Sequence, residues 1–190
     1  MILAAIALCA CEDGSQGASN AAAPPARFEA VAAKPKPKNP LVDFCDVHHE
    51  PGQGPKLALP ATDTQPATAS GGQWLNLWAT WCKPCVEELP MIARFQQRLK
   101  EDGDAISVNF VSVDTSAEAI TKFKEHHPGM PQTMRLTNAD ELTAYVEGLG
   151  LGANAGLPIH VFAGADGHVR CVRSGAVTES HLATIEPLLR

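Results

Sequence analysis

Cys82 and Cys85 are the residues of this chain best suited to chemistry: two thiols separated only by Lys83 and Pro84. If a helix starts here, its unpaired N–H groups and positive dipole end favour a thiolate on Cys82. Cys85 then lies one turn on and faces the same sulfur. Cys82 can attack a foreign disulfide, and Cys85 can resolve the mixed disulfide that results. Pro84 suits a first helical turn, where a missing N–H costs little. Lys83 adds a positive charge, weakened by its exposure. Zinc sites also use CxxC, but they need two further ligands, usually a second CxxC or a paired histidine. Cys45 and Cys171 stand alone, and His48-His49 and His126-His127 are adjacent pairs without ligand spacing, so they read as solvent-facing. The expectation is neither metal nor cofactor.

The surrounding pattern supplies elements that could hold such a pair. Trp74 to Trp78 reads as a short apolar strand running into the motif. A helix from about Pro84 carries Val86, Leu89, Ile92, Phe95 and Leu99 on one stripe, with Pro90 expected to kink it. Ile106 to Val113 is β-branched and apolar, as a buried strand would be. Thr115 and Glu118 have capping-box spacing before a helix over 116–127. Asn138 and Glu141 repeat that spacing before a helix with Leu142, Tyr145, Val146 and Leu149 on one face. Pro158 to Phe162 and Val169 to Val172 read as a hairpin around the Asp166-Gly167 turn. Thr178 can cap a last helix carrying Leu182, Ile185 and Leu189. Alternation followed by a closing hairpin predicts an α/β fold with a mixed sheet. Residues 41–72, broken by Pro51, Pro55, Pro60 and Pro66, give no clear element.

The composition is 45% apolar, enough for a core, and the formal net charge is −6. Lys34, Lys36 and Lys38 alternate with prolines and read as a solvated linker, so nucleic acid is not an expected partner. The apolar run Ile2–Ala10 is too short to span a bilayer and reads as the core of a secretory signal. Leu8-Cys9-Ala10-Cys11 resembles a bacterial lipobox, with Cys11 at the lipidated position. The expected organisation is a lipoprotein-type signal over 1–10, a disordered Pro/Ala/Lys-rich tether over 11–40 and a folded domain over 41–190. As a flexible coil, the tether would reach roughly 30 Å.

The stretch Leu75-Asn76-Leu77-Trp78-Ala79-Thr80-Trp81-Cys82-Lys83-Pro84-Cys85, followed by Glu88, Leu89 and Pro90, resembles the active-site segment of the TlpA/ResA branch of thioredoxin-like proteins. Gly156-Leu157-Pro158 before a strand matches the place where thioredoxin-fold proteins set a cis-proline beside the redox pair. The resemblance covers about residues 55–190. It implies a thioredoxin fold: a central mixed sheet flanked by helices, with an inserted helical segment before the cis-proline strand. It also implies a membrane-tethered, periplasmic or extracytoplasmic thiol–disulfide oxidoreductase. Implied partners are protein disulfide substrates, such as apocytochrome c or copper-site proteins, and a membrane thiol electron donor. The site residues it implies are Cys82, Cys85, Pro158, Trp81 and Glu88. Cytosolic thioredoxins carry a buried Asp where this chain has Asn76, and Asn cannot act as that base. Glu88 fits the position of a substitute; the other reading is an exposed helix residue. For Trp81 the plain reading is packing. His160 stands where many relatives have Thr, as a titrating neighbour or a structural strand histidine. Alternative functions are thiol oxidation or isomerisation, or copper or zinc carriage. Related copper carriers, however, space their cysteines CxxxC.

Setting aside Cys9 and Cys11 with the signal and lipid, and the redox pair, leaves Cys45 and Cys171. An even number of cysteines in an exported chain suits disulfides, and these two are expected to form a structural one; the alternative is two buried free thiols. The N-terminal reading is checked by fractionation. Cys11→Ala should move the mature protein from the membrane fraction to the soluble one, and unchanged membrane association would refute lipidation at Cys11.

Overall fold

The computed structural model describes residues 40–66 and 70–190. The expected signal, tether and Cys11 lie outside the described residues. The elements in chain order are α1 (Pro40–Phe44), β1 (Val47–His48), β2 (Gly72–Trp78), α2 (Lys83–Glu101), β3 (Ile106–Ser112), α3 (Ala117–His126), β4 (Met134–Arg135), α4 (Glu141–Gly148), β5 (Ile159–Ala163), β6 (Val169–Ser174) and α5 (Leu182–Leu189), with a 3-10 turn at Glu179–His181. The sheet order is β1-β6-β5-β2-β3-β4. Strands β2, β3 and β4 run parallel, while β5 is antiparallel to β2, β6 to β5 and β1 to β6. This is an α/β thioredoxin fold, with α3, β4 and α4 all placed between β3 and the cis-proline strand.

Strand alternation divides the core. Trp74 and Trp78 of β2 and Phe162 of β5 face α2 and α5, where they pack with Leu89, Ile92, Phe95, Leu99, Ile185 and Leu189. Leu75, Leu77, Ile159 and Val161 face the other way and pack with Val146 of α4. The same alternation puts Asn76 and His160 on the α2 side, opposite one another in register. Gly72, at the start of β2, cannot carry a side chain: a Cβ there would run into the carbonyl of Leu189 in α5.

Several local details differ from the sequence reading. Ser116, not Thr115, caps α3, its hydroxyl accepting from the N–H groups of Glu118 and Ala119. Asn138 does not cap α4; its amide donates to the Glu141 carboxylate at 2.9 Å instead. Thr178 caps the 3-10 turn that leads into α5. Helix α2 runs through Pro90 without ending, and Pro90 lies on its exposed side.

Helix α1 and strand β1 occupy the stretch that gave no clear signal. β1 pairs Val47 with Val172 and His48 with Cys171. Cys45, just before β1, bonds to Cys171 of β6, with Cα atoms 5.5 Å apart and a sequence separation of 126. The bond ties the incoming segment to the sheet and lies in the α2-side core. Serine at both positions should lower unfolding stability by up to about 4–5 kcal/mol in the chain-entropy account. Denaturant titration of the double variant checks this, and an unchanged midpoint would deny the bond a structural role.

Candidate redox site

Strand β2 delivers the chain to the site. After Trp78 it leaves the sheet through Ala79–Trp81 and enters α2 at Cys82, the N-cap residue. A buried carboxylate anchors this short connection. Asp114 accepts from the Thr80 N–H at 2.9 Å, the Thr80 hydroxyl at 2.7 Å and the Ser112 hydroxyl at 2.6 Å. The end of β3 thereby fixes where α2 begins. The sequence reading did not single out Asp114; its signal is an acidic residue directly after an apolar strand.

Cys82 Sγ takes the place of a capping oxygen and accepts the Cys85 N–H at 3.3 Å. The two sulfurs are bonded to each other, with Cα atoms 5.3 Å apart. Their exposures differ: Cys82 retains 6% of its surface and Cys85 none. An incoming disulfide can therefore meet Cys82 and not Cys85. A sulfur at this position also gains from the helix dipole when it carries negative charge. Lys83 spends its charge in an exposed pair with Glu87 at 3.7 Å, which contributes little.

Glu88 is not an exposed helix residue. It follows Cys85 by three positions and precedes Ile92 by four, so it falls on the buried face of α2, and only 4% of it is exposed. Its Oε1 accepts from the Asn76 side-chain amide at 3.0 Å, and its Oε2 from the Val177 N–H at 2.8 Å. His160, fully buried, brings Nε2 to 3.4 Å from Oε1. On its other side, His160 Nδ1 accepts from the Trp74 indole N–H at 3.1 Å and lies 3.3 Å from the Asn76 amide nitrogen. The structure thus gathers Glu88, Asn76, His160 and Trp74 into one cluster, with Glu88 one turn beyond Cys85 on α2.

The Leu157–Pro158 peptide is cis, and Pro158 is buried. Its carbonyl accepts the Gly175 N–H at 2.8 Å. Leu77 is opposite Ile159 in register, which sets Pro158 at the level of Trp78, where β2 leaves for the cysteines. Trp81 does not pack inside: 71% of it is exposed. With Val113, Leu142, Val146 and Leu157 it lines a largely apolar hollow of about 420 Å³. Among the described residues, no group of three or more His, Cys, Asp and Glu side chains is gathered as a metal site would need.

The fold and this site define a thioredoxin-fold protein with a disulfide-bonded CxxC pair at a helix start. No protein-family model matches the chain. Over 122 residues it is 30% identical to the thiol-disulfide oxidoreductase ResA of Geobacillus kaustophilus, covering 61% of this chain and 64% of that protein. To ResA of Bacillus subtilis it is 31% identical over 110 residues, 57% of this chain and 56% of the relative. The chain thus matches less than two thirds of the length of these relatives. Among solved structures, a thioredoxin-family thiol:disulfide interchange protein from Chlorobium tepidum superposes with TM-score 0.56 at 19% identity, covering 75% of this chain and 99% of that one. A thiol-disulfide isomerase from Corynebacterium glutamicum gives 0.55 at 15% identity, covering 72% and 96%. In sequence the chain is thus similar to ResA proteins over part of their length, and in fold to the two solved structures.

Removing the anchor of the β2–α2 connection has a measurable cost. Asp114→Ala leaves the donors of Thr80 and Ser112 without their acceptor, a loss of about 2–3 kcal/mol for buried groups. Urea unfolding of the oxidised protein reads this directly. A change below about 0.5 kcal/mol, the range of ordinary surface substitutions, would mean that the carboxylate does not anchor the loop.

Proposed function

We propose that the chain is an exported thiol–disulfide oxidoreductase that reduces protein disulfides through a Cys82–Cys85 dithiol/disulfide cycle. The unequal exposure of the two cysteines carries this reading. The Cys82 thiolate attacks one sulfur of a substrate disulfide, whose S–S bond breaks. One substrate sulfur leaves as a thiolate and takes a proton from solvent, and the other remains bonded to Cys82. Cys85 then gives up its proton and attacks the Cys82 sulfur, and the second substrate sulfur leaves. Substrate disulfide and protein dithiol become substrate dithiol and protein disulfide.

Glu88, one turn from Cys85 on the same buried face, is the proton acceptor in this scheme. Pro158 closes the site from the β5 side. Trp81 and the apolar hollow beside it receive the polypeptide that flanks the substrate cysteine. The anchor at Cys11 holds the domain at the extracytoplasmic face of a membrane, and a membrane thiol donor returns the pair to the dithiol. Apocytochrome c and copper-site proteins are the substrate classes that the family resemblance suggests. Cys45–Cys171, buried and away from the helix start, has a structural role.

Trapping experiments assign the roles. Cys82→Ser should abolish reduction of insulin disulfides. Cys85→Ser should accumulate mixed disulfides with substrates, seen as thiol-sensitive adducts on non-reducing gels, because the attacking sulfur survives without its resolving partner. Equal trapping by the two single variants would reverse or remove the assignment.

A further inference from the structure

We propose that His160 is a positioning residue for the resolving step, holding the proton-accepting carboxyl of Glu88 ready through a fixed ring tautomer. The proposal rests on Glu88 taking the proton of Cys85, and goes beyond it by naming what prepares Glu88.

Hydrogen-bond polarity carries the argument. An indole N–H can only donate, and that of Trp74 points at His160 Nδ1 from 3.1 Å. Nδ1 must therefore be the bare nitrogen, and the ring proton sits on Nε2. Nε2 is the atom 3.4 Å from Glu88 Oε1. It has no hydrogen-bond partner in this resting, disulfide-bonded arrangement, and neither has Asn76 Oδ1. A buried donor without a partner is costly, and the nearby carboxylate oxygen is the acceptor it can satisfy with a small movement. Glu88 then has three donors: the Asn76 amide and the Val177 N–H, already in place, and His160 Nε2–H.

The other charged or titratable groups around the pair do not replace this donor. Cys82 and Cys85 lie on α2 itself. Arg173 of β6 is opposite His160 in register, but its guanidinium donates to the Phe44 carbonyl at 2.7 Å and covers the Phe44 ring. His181, in the 3-10 turn, packs against Phe44. Burial first, then the charge of Arg173, holds it below the ordinary histidine range.

Stopped-flow reaction with an aromatic disulfide reagent separates the steps. One coloured thiolate is released when Cys82 attacks, and a second when Cys85 resolves. In His160→Phe, the acid limb of the second phase should move about one unit to higher pH, because the buried carboxylate has lost a donor, while the first phase is unchanged. His160→Gln, which can accept from Trp74 and donate to Glu88 without titrating, should restore the second phase. Equal slowing of both phases in His160→Phe at every pH would make the residue merely structural and overturn the proposal. So would a Gln variant that behaves like Phe. Glu88→Gln is the control for the underlying reading: if its second phase matches the wild type, Glu88 is not the acceptor and both ideas fall. Should His160→Phe not fold, nitrogen NMR of the native protein decides. A neutral ring protonated on Nε2 is expected; a proton on Nδ1 overturns the proposal.

Discussion

A carboxyl group buried under an apolar helix face is the constraint around which the site is arranged. A buried charge or unpaired polar atom costs several kcal/mol, so Glu88 can occupy that face only if other elements bring donors to it. Two do, and a third stands close. Strand β2 brings the Asn76 amide and the loop after β6 brings the Val177 N–H, while strand β5 sets His160 Nε2 3.4 Å from the same carboxylate. Helix α2, which carries both cysteines, is thereby tied to the sheet by polar contacts as well as by Leu89, Ile92 and Phe95. The position of the sulfurs relative to the cis-proline strand depends on those ties.

A second carboxylate does comparable work at the other end of the motif. Asp114 holds Thr80 to the end of β3, so the connection entering α2 has little freedom. Between the two anchors the chain exposes Trp81 and part of Cys82 and buries Cys85. In the proposed cycle, that asymmetry gives two chemically identical thiols different tasks. Helix position adds to it, since the N-cap sulfur feels the unpaired N–H groups and the dipole, while the sulfur one turn on is sealed inside.

Much of this was legible in the sequence, for definite reasons. β2, α2, β3 and the β5–β6 hairpin each carry a run of apolar residues at strand or helix spacing, and the Cys82–Cys85 spacing needs no tertiary information. The five residues of α1 and the two each of β1 and β4 are too short to show periodicity. They form because distant strands and the Cys45–Cys171 bond receive them. Thr115 and Ser116 are adjacent hydroxyls that can each fill the cap of α3, and only the folded backbone selects Ser116. From sequence alone, Glu88 admits both a buried and an exposed reading. Its spacing of three from Cys85 and four from Ile92 would have placed it on the buried stripe, but a charge there reads as solvated until its donors are known, and those come from other elements.

The strand alternation that built the apolar core also built the polar cluster. In β2 the α2-facing positions are Trp74, Asn76 and Trp78; in β5 they are His160 and Phe162. Replacing Asn76 and His160 by aliphatic residues would keep the periodicity and fill the core, but would leave Glu88 nearly bare. The polar residues therefore make sense only as a set with Glu88, and Glu88 makes sense at that position because Cys85 is one turn away. A cluster of this kind is an expensive way to pack a helix. Its cost is understandable in the proposed cycle, where a proton must be accepted beside a thiol from which water is excluded, because Cys85 is completely buried.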